Sequence, residues 1–495
     1  MTRSLGGLGL RPSLKQSPVM ALTRPVAPAP PAATPGTVTA PPPFAVPPPP
    51  WASPGPATVA PPPSPPAGAR SSIALPPAPQ SAEETGLPFS FVAELVLKVL
   101  YFNGTMTGRD IAAHTCLPFS FVESALKFLA DEGYCSSTGV RTSELAAGEA
   151  LNAGMQHLIT SVGRQRAREL LEINQYAGPA PVPIAEYTAV ARRQAEREVP
   201  IDRARLRDAF ADLVLPDSLL DSLGPALASR QATFLYGGSG NGKTTIAEAL
   251  SVLLGPPLFV PRALYVHGEV IRFFDPIHHE PLQRELPPHD RRWRLCKRPV
   301  VKVGGELQPR MLELGFDSSL GFFEASLQLK ANGGLFLIDD FGRQQHMSPR
   351  DLLNRLIVPL EKGVDYVNIA RAGTSIAVPF TCQLMLSTNL RPQNLMDEAF
   401  LRRVRFKVHV PNPTREEYEQ IWRRLCEHEG IAYRREVIDR LIARHYEAQR
   451  RPFQGSHPRD LLSHIVHQAR YLGLPVELDD DLVERACRGY FVVPE

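Results

Sequence analysis

At 495 residues and 43% hydrophobic content the chain has room for about three domains with real cores, and its net charge of +3 argues neither for nor against nucleic acid. No apolar run approaches the roughly 18 residues of a membrane span, Glu94 and Lys98 breaking the best one, and the N-terminus lacks the compact apolar segment of a signal peptide. Six cysteines (Cys116, Cys135, Cys296, Cys382, Cys426, Cys487) form no C-x-x-C pair, which favours reduced thiols in a cytoplasmic protein over disulfides or a zinc site.

Residues 1–82 hold nearly half of the 51 prolines, in runs such as Pro41-Pro42-Pro43, with no Asp or Glu between Met1 and Gln80. So few large apolar side chains cannot offset the entropy of ordering, and a disordered tail of polyproline character is expected. Its P-x-x-P spacings suit a flexible tether or a ligand for an aromatic groove, the tether being the simpler reading.

Residues 83–175 read as one domain. Phe91, Leu95, Val96, Val99 and Leu100 sit at helical spacing before the Asn103-Gly104 break. Thr107-Gly108-Arg109-Asp110 starts a short helix, and Pro118 opens a third that carries Phe121, Val122, Ala125, Leu126 and Leu129. With the extended stretch 134–142 they resemble a winged helix. Leu-Pro-Phe-Ser-Phe-Val occurs at 87–92 and again at 117–122, each time at a helix start. The would-be recognition helix offers Lys127 as its only basic residue, beside Glu123, so docking of protein is favoured over reading of DNA. Gln156 to Ile173 predicts a further amphipathic helix with Arg164, Arg166 and Arg168 on its basic face.

Residues 176–208 read as a linker, stiff at Gly178–Pro183 and then a solvated charged helix from Arg192 to Arg207. A core domain is expected over 209–410. Its first strand, Ala232-Thr233-Phe234-Leu235-Tyr236, runs into Gly237-Gly238-Ser239-Gly240-Asn241-Gly242-Lys243-Thr244, with Thr245 and Ile246 opening a helix. Strand, glycine loop and helix with G-x-x-x-x-G-K-T spacing make a P-loop, in which backbone N–H groups and the helix N-terminus cradle phosphate. Lys243 would reach the β- and γ-phosphates and the Thr244 hydroxyl would bind Mg2+.

Gly333-Gly334-Leu335-Phe336-Leu337-Ile338 is a buried parallel strand by its unbroken apolar run, and it ends in Asp339-Asp340. Carboxylates there should sit beside the P-loop, Asp339 holding Mg2+ and Asp340 placing the attacking water. Leu384-Met385-Leu386-Ser387-Thr388-Asn389 repeats the pattern. Asp397 to Phe406, with Arg402, Arg403 and Arg405, and Gly455-Ser456-His457-Pro458-Arg459-Asp460 complete the set.

In this order these signals resemble the AAA+ ATPases over about 209–495. The resemblance implies an α/β fold, a parallel P-loop sheet flanked by helices, with a helical lid over 411–495 entered through Pro411-Asn412-Pro413-Thr414. It implies Walker A at Gly237–Thr244, Walker B at Asp339-Asp340, sensor 1 at Asn389, sensor 2 at Arg459, and arginine fingers at Arg402 and Arg405 that act on a neighbour in a ring, a hexamer by analogy. Gly321-Phe322-Phe323-Glu324-Ala325 and Ala331 to Phe336 look similar to the branch that holds MoxR-like and sigma-54 activator ATPases. The G-A-F-T-G-A loop of the activators is absent, Gly315 to Leu320 standing near its place. One departure matters: Asp340 stands where the family carries Glu, one methylene longer.

Three smaller expectations follow. Residues 263–266 and 270–274 should pair as a hairpin, and Val364 to Phe380 as a second that lines a ring pore. His278, His279, Glu280 and His289 lack metal-ligand spacing and read as loop residues. Arg291 to Arg298 is a basic cluster for solvent, another subunit or a phosphate backbone. The expected function is an ATP-driven, ring-forming remodeller of protein partners. The alternatives are a DNA-directed motor or loader, or an ATP-dependent switch with little hydrolysis.

Overall fold

The computed structural model describes residues 75–140, 151–196, 200–395 and 401–491, so most of the proline-rich segment and Asp397 to Phe400 lie outside the described residues. Five parallel strands carry the rest. In chain order they are Thr233–Gly237, Val300–Val303, Leu335–Ile338, Gln383–Thr388 and Phe406–Val410. Side by side they run second, third, fourth, first, fifth. Every position of the third and fourth strands is buried, as a strand covered on both faces requires. Alternation along them feeds two cores. Leu335, Leu337 and Met385 face the helices Asp217–Ala228 and Lys243–Leu250, while Phe336, Ile338 and Leu384 pack on the helix Pro349–Lys362.

The strand order refines one expectation. The strand that ends at Asp339 is not next to the P-loop strand; the fourth strand lies between them. Any contact between Asp339 and the P-loop must therefore cross the end of the strand that leads to Asn389.

A second sheet has the order Gly315–Asp317, Phe322–Glu324, Glu269–Arg272, Ala263–Val266, Val182–Pro183. The hairpin expected at 263–274 forms through a His267-Gly268 turn, both residues with positive φ. Residues 176–208, read as a linker, are largely packed structure. Val182 and Pro183 add the edge strand, and the helix Ile184–Glu196 buries Tyr187, Val190, Ala191 and Gln194. That apolar stripe has helical spacing, but flanking charges mask it in the sequence. The Gln194 amide continues the sheet pattern, donating to Phe259 O at 3.1 Å and accepting from Phe259 N at 2.6 Å.

The N-terminal unit has the helices Phe89–Asn103, Gly108–Thr115 and Phe119–Asp131, and a three-stranded antiparallel sheet of Thr105–Thr107, Met155–Ile159 and Cys135–Val140 with Met155–Ile159 central. Pro88 and Pro118 sit at the N-caps of two of these helices, where the repeated hexapeptide placed helix starts. The helix expected from Gln156 begins later, at Ser161, capped by Thr160; the residues before it form the central strand. The Arg-rich face does belong to the helix, Ser161–Ile173.

Three of the basic residues at 291–298 turn inward, while Arg291 and Lys297 stay exposed. Arg292 is 1% exposed and donates from Nε to Asp290 at 2.9 Å, from Nη2 to Glu186 at 3.1 Å and from Nη1 to Thr85 O at 2.9 Å. It thereby joins Thr85 of the N-terminal unit, the 184–196 helix and the segment around Asp290. Arg298 donates to Pro256 O and Gly333 O, and Arg294 lies over the Phe274 ring. Arg292→Ala would leave the Asp290 carboxylate, also 1% exposed, without its counter-charge. Urea unfolding of that variant is expected to show a loss of about 3–5 kcal/mol, and an unchanged midpoint would count against this role.

His279 is no solvated loop residue either. It is fully buried, stacked on Phe273 and Phe274, accepting from Asp275 N at 3.0 Å and therefore donating from Nε2 to Lys330 O at 2.9 Å. Burial pushes its pKa down to about 4. Between pH 6.5 and 4 the unfolded chain thus takes up a proton that the folded chain refuses, so this contribution is complete above pH 6.5 and shrinks as pH falls. The loss by pH 5 is on the order of 2 kcal/mol. A thermal-shift series from pH 7.5 to 5 should show it, with a smaller drop in His279→Gln.

The C-terminal helices Arg415–Glu429, Arg435–Ile442, His457–Leu472 and Asp480–Tyr490 enclose their own core around Tyr418, Trp422, Tyr446, Leu461 and Ile465. The Thr414/Glu417 spacing forms a complete capping box at its entry. All six cysteines are free thiols, and among the described residues no helix is long and apolar enough to cross a membrane.

Candidate functional site

The P-loop strand ends at Gly237, and the helix begins at Lys243. The turn between them needs left-handed backbone at Gly240 (φ +76°) and at Gly242 (φ +77°), which caps the helix. Lys243 is 9% exposed, and its ammonium donates to Gly237 O at 3.1 Å and Gly238 O at 2.9 Å. Burial lowers its pKa, and the nearby Asp339 and Asp340 carboxylates act the other way. Ser239 and Thr245 are exposed on the loop and the first turn.

Across the sheet edge, the Thr244 hydroxyl donates to Asp339 Oδ2 at 2.6 Å. Asp339 Oδ1 accepts from the Asp340 N–H at 3.0 Å. Asp340 has φ +47°, a left-handed conformation that Asp tolerates better than most residues. The Gln344 amide holds this turn, donating to Asp339 O at 3.2 Å and Asp340 O at 3.3 Å. Gln344 has no signal in the sequence, since a single polar residue after the acidic pair carries no pattern. Thr388 Oγ1 donates to Phe341 O at 2.8 Å, which ties the fourth strand to the third just before Asn389. The Asn389 Oδ1 is buried without a hydrogen-bond partner, a costly state for a side chain at the open end of a sheet.

Two further sets of expected residues stand at the surface. Arg459 stands in the first turn of its helix with its side chain 72% exposed, 3.3 Å from Asp460. Arg402 and Arg405 are exposed and line a recess of about 500 Å³ with Arg230, Gln231, Cys382 and Arg403. Gln231 and Cys382 stand just before the starts of two of the parallel strands, at Thr233 and Gln383, so this recess is at the opposite end of the sheet from Lys243. Five residues of strand separate the two ends, about 16 Å. Arg403 pairs with Glu361 at 2.8 Å.

The second expected hairpin forms between Val364–Ile369 and Thr374–Pro379. Its tip is tied back to the chain. Arg371 donates to Ile173 O at 3.3 Å and Gly321 O at 3.4 Å and lies over the Phe316 ring. An arginine at a hairpin tip finds free carbonyls at a helix C-terminus and a turn, an outcome that spacing does not disclose.

The donor set fits the groups that a P-loop implies. A hydroxyl and a carboxylate oxygen, 2.6 Å apart, are the hard oxygen ligands that Mg2+ prefers. The loop presents backbone N–H groups at a helix start beside a buried ammonium, which suits a polyphosphate.

Residues 414–489 match the family described as a domain of unknown function, DUF8689. No curated protein matches the chain. Two solved structures of mutants of RuvB from Thermotoga maritima are similar at 14% identity, covering 55% of this chain and 69% of each of theirs, with TM-scores of 0.33 and 0.32. Scores that low leave the fold to be argued from this chain's own strands.

Proposed function

We propose that this chain is an ATP-binding and ATP-hydrolysing AAA+ ATPase that works as a ring on protein partners. The observation that carries the reading is the Thr244–Asp339 hydrogen bond, which brings the P-loop helix and the acidic strand end together across an intervening strand. Lys243 would set its positive charge against the β- and γ-phosphates. Thr244 and Asp339 would hold Mg2+, which supplies charge neutralisation on the phosphates when bound. Asp340 would position the attacking water and accept its proton, while Asn389 and Arg459 would read the γ-phosphate. Arg402 and Arg405 sit too far from their own Lys243 to serve it, which suits arginines that act on a neighbouring copy.

Several features support protein over nucleic acid as the client. Arg292, Arg294 and Arg298 are engaged with partners in this chain, and the exposed Lys297 pairs with Glu280, so the cluster does not form an open basic stripe. The N-terminal unit, a winged-helix-like docking module on this reading, has a third helix whose only basic residue is Lys127. Phosphate release by the full-length protein with Mg2+ and ATP tests the proposal. Turnover well above background is expected; a chain that neither binds nor hydrolyses ATP would overturn it, and tight binding without turnover would favour the switch.

A further inference from the structure

Asn241 fills the variable position of the P-loop just before Gly242, and it is 8% exposed. None of the phosphate-cradling roles of the loop requires its side chain. Its amide nitrogen donates to Asn412 Oδ1 at 2.7 Å and to Pro411 O at 3.2 Å. Its amide oxygen accepts from Gly455 N at 3.5 Å. One residue earlier, Gly240 O accepts from Ser456 N at 2.8 Å. The approach is close: a Cβ at Gly240 would come within 2.5 Å of Ser456 Oγ. The loop is therefore held on one side by the segment that leaves the fifth strand and on the other by the residues that open the helix His457–Leu472.

We infer that Asn241 and Asn412 are positioning residues that couple the geometry of the P-loop to the seating of the C-terminal helices, so that nucleotide affinity depends on that seating. The inference rests on the proposed nucleotide site and deepens it. Polyphosphate fixes the loop by drawing its backbone N–H groups inward. A fixed loop presents Gly240 O and the Asn241 amide to Gly455 and Ser456 in one arrangement only. By linkage, whatever moves 455–456 away must loosen the loop by the same free energy. Asn412 is the hinge-side anchor: without its oxygen, the Asn241 amide loses its shortest bond and is free to turn away from Gly455.

The test is a titration of the full-length chain with a fluorescent ATP analogue, in wild type, Asn241→Ala, Asn412→Ala and the double variant. Each single change is expected to weaken binding about tenfold, the upper end of what one hydrogen bond contributes. The double variant is expected to match Asn241→Ala, because Asn412 acts through the Asn241 amide, which that change already removes. Unchanged affinity in the single variants, or a hundredfold loss in the double, overturns the tether while leaving the nucleotide site intact. Failure of the wild type to bind overturns the site reading and the tether with it. Hydrogen exchange on the wild type needs no variant: the analogue should slow exchange across 454–460 along with 237–242. Protection confined to 237–242 would also overturn the coupling.

Discussion

Lys243→Ala is expected to reduce ATP turnover on the order of 10²–10³-fold and to weaken nucleotide binding with it. The ammonium is held by Gly237 O and Gly238 O, so it occupies its place before any ligand arrives. Pre-placed charge in a partly dry site requires no reorganisation during the reaction, and loss of one such donor commonly has an effect of that size. The two carbonyls give the Lys243 ammonium acceptors at 9% exposure. The Asp339 and Asp340 carboxylates add to that, offsetting part of what burial does to its pKa. Lys243→Arg would keep the charge but not the fit, since a planar guanidinium cannot donate to the same pair of carbonyls in the same space. It should therefore fall closer to alanine than to wild type. Phosphate release and analogue binding measure both effects; a Lys243→Ala protein with wild-type turnover would mean that the phosphates lie elsewhere.

Much of this site is legible from the residues because its chemistry is local. Strand, glycine loop and helix follow one another within a few positions, and the run Leu335–Ile338 before Asp339 announces a buried strand by its composition alone. Strand order is different in kind. Nothing in the sequence says that Gln383–Thr388 inserts between the strands ending at Gly237 and Ile338; that follows from long-range pairing. The same limit hid the packing of 184–196, whose stripe of Tyr187, Val190 and Ala191 is short and surrounded by charge. It also hid the destination of Arg292, since an arginine among arginines gives no sign that Asp290, Glu186 and Thr85 O await it. In the sequence Asn412 is only part of a proline-flanked entry to the C-terminal helices. Its partner is 171 positions away, and polar tethers of that span leave no periodic trace.

The Asp340 backbone bears on the shorter carboxylate. A left-handed residue changes where its Cβ leaves the chain, so one missing methylene does not translate directly into a water held too far away. A glutamate at this position would have to adopt the same strained backbone, which it tolerates less well than aspartate. Asp340→Glu is therefore expected to give no gain in turnover, and a clear gain would show that side-chain length is what limits the site.

Arg402→Ala is expected to reduce turnover on the order of 10³–10⁵-fold, the range for an arginine that completes a phosphoryl-transfer site from outside. The geometry makes this a statement about two copies. Arg402 lies at the strand ends opposite Lys243, in a recess with Arg230 and Arg405, and a residue there cannot swing about 16 Å through its own sheet. A subunit carrying Lys243→Ala keeps its arginine, and a subunit carrying Arg402→Ala keeps its phosphate loop. Neither is active alone, yet in a mixed ring about a quarter of the sites would pair an intact loop with an intact arginine if subunits assort at random around a head-to-tail cycle. Mixing the two inactive proteins should therefore restore a substantial fraction of wild-type turnover, rising with protein concentration as rings assemble. Recovery would require Arg402 to act across an interface. Sustained inactivity after demonstrated subunit exchange would return these arginines to the role of surface charges, such as Arg403 already fills against Glu361.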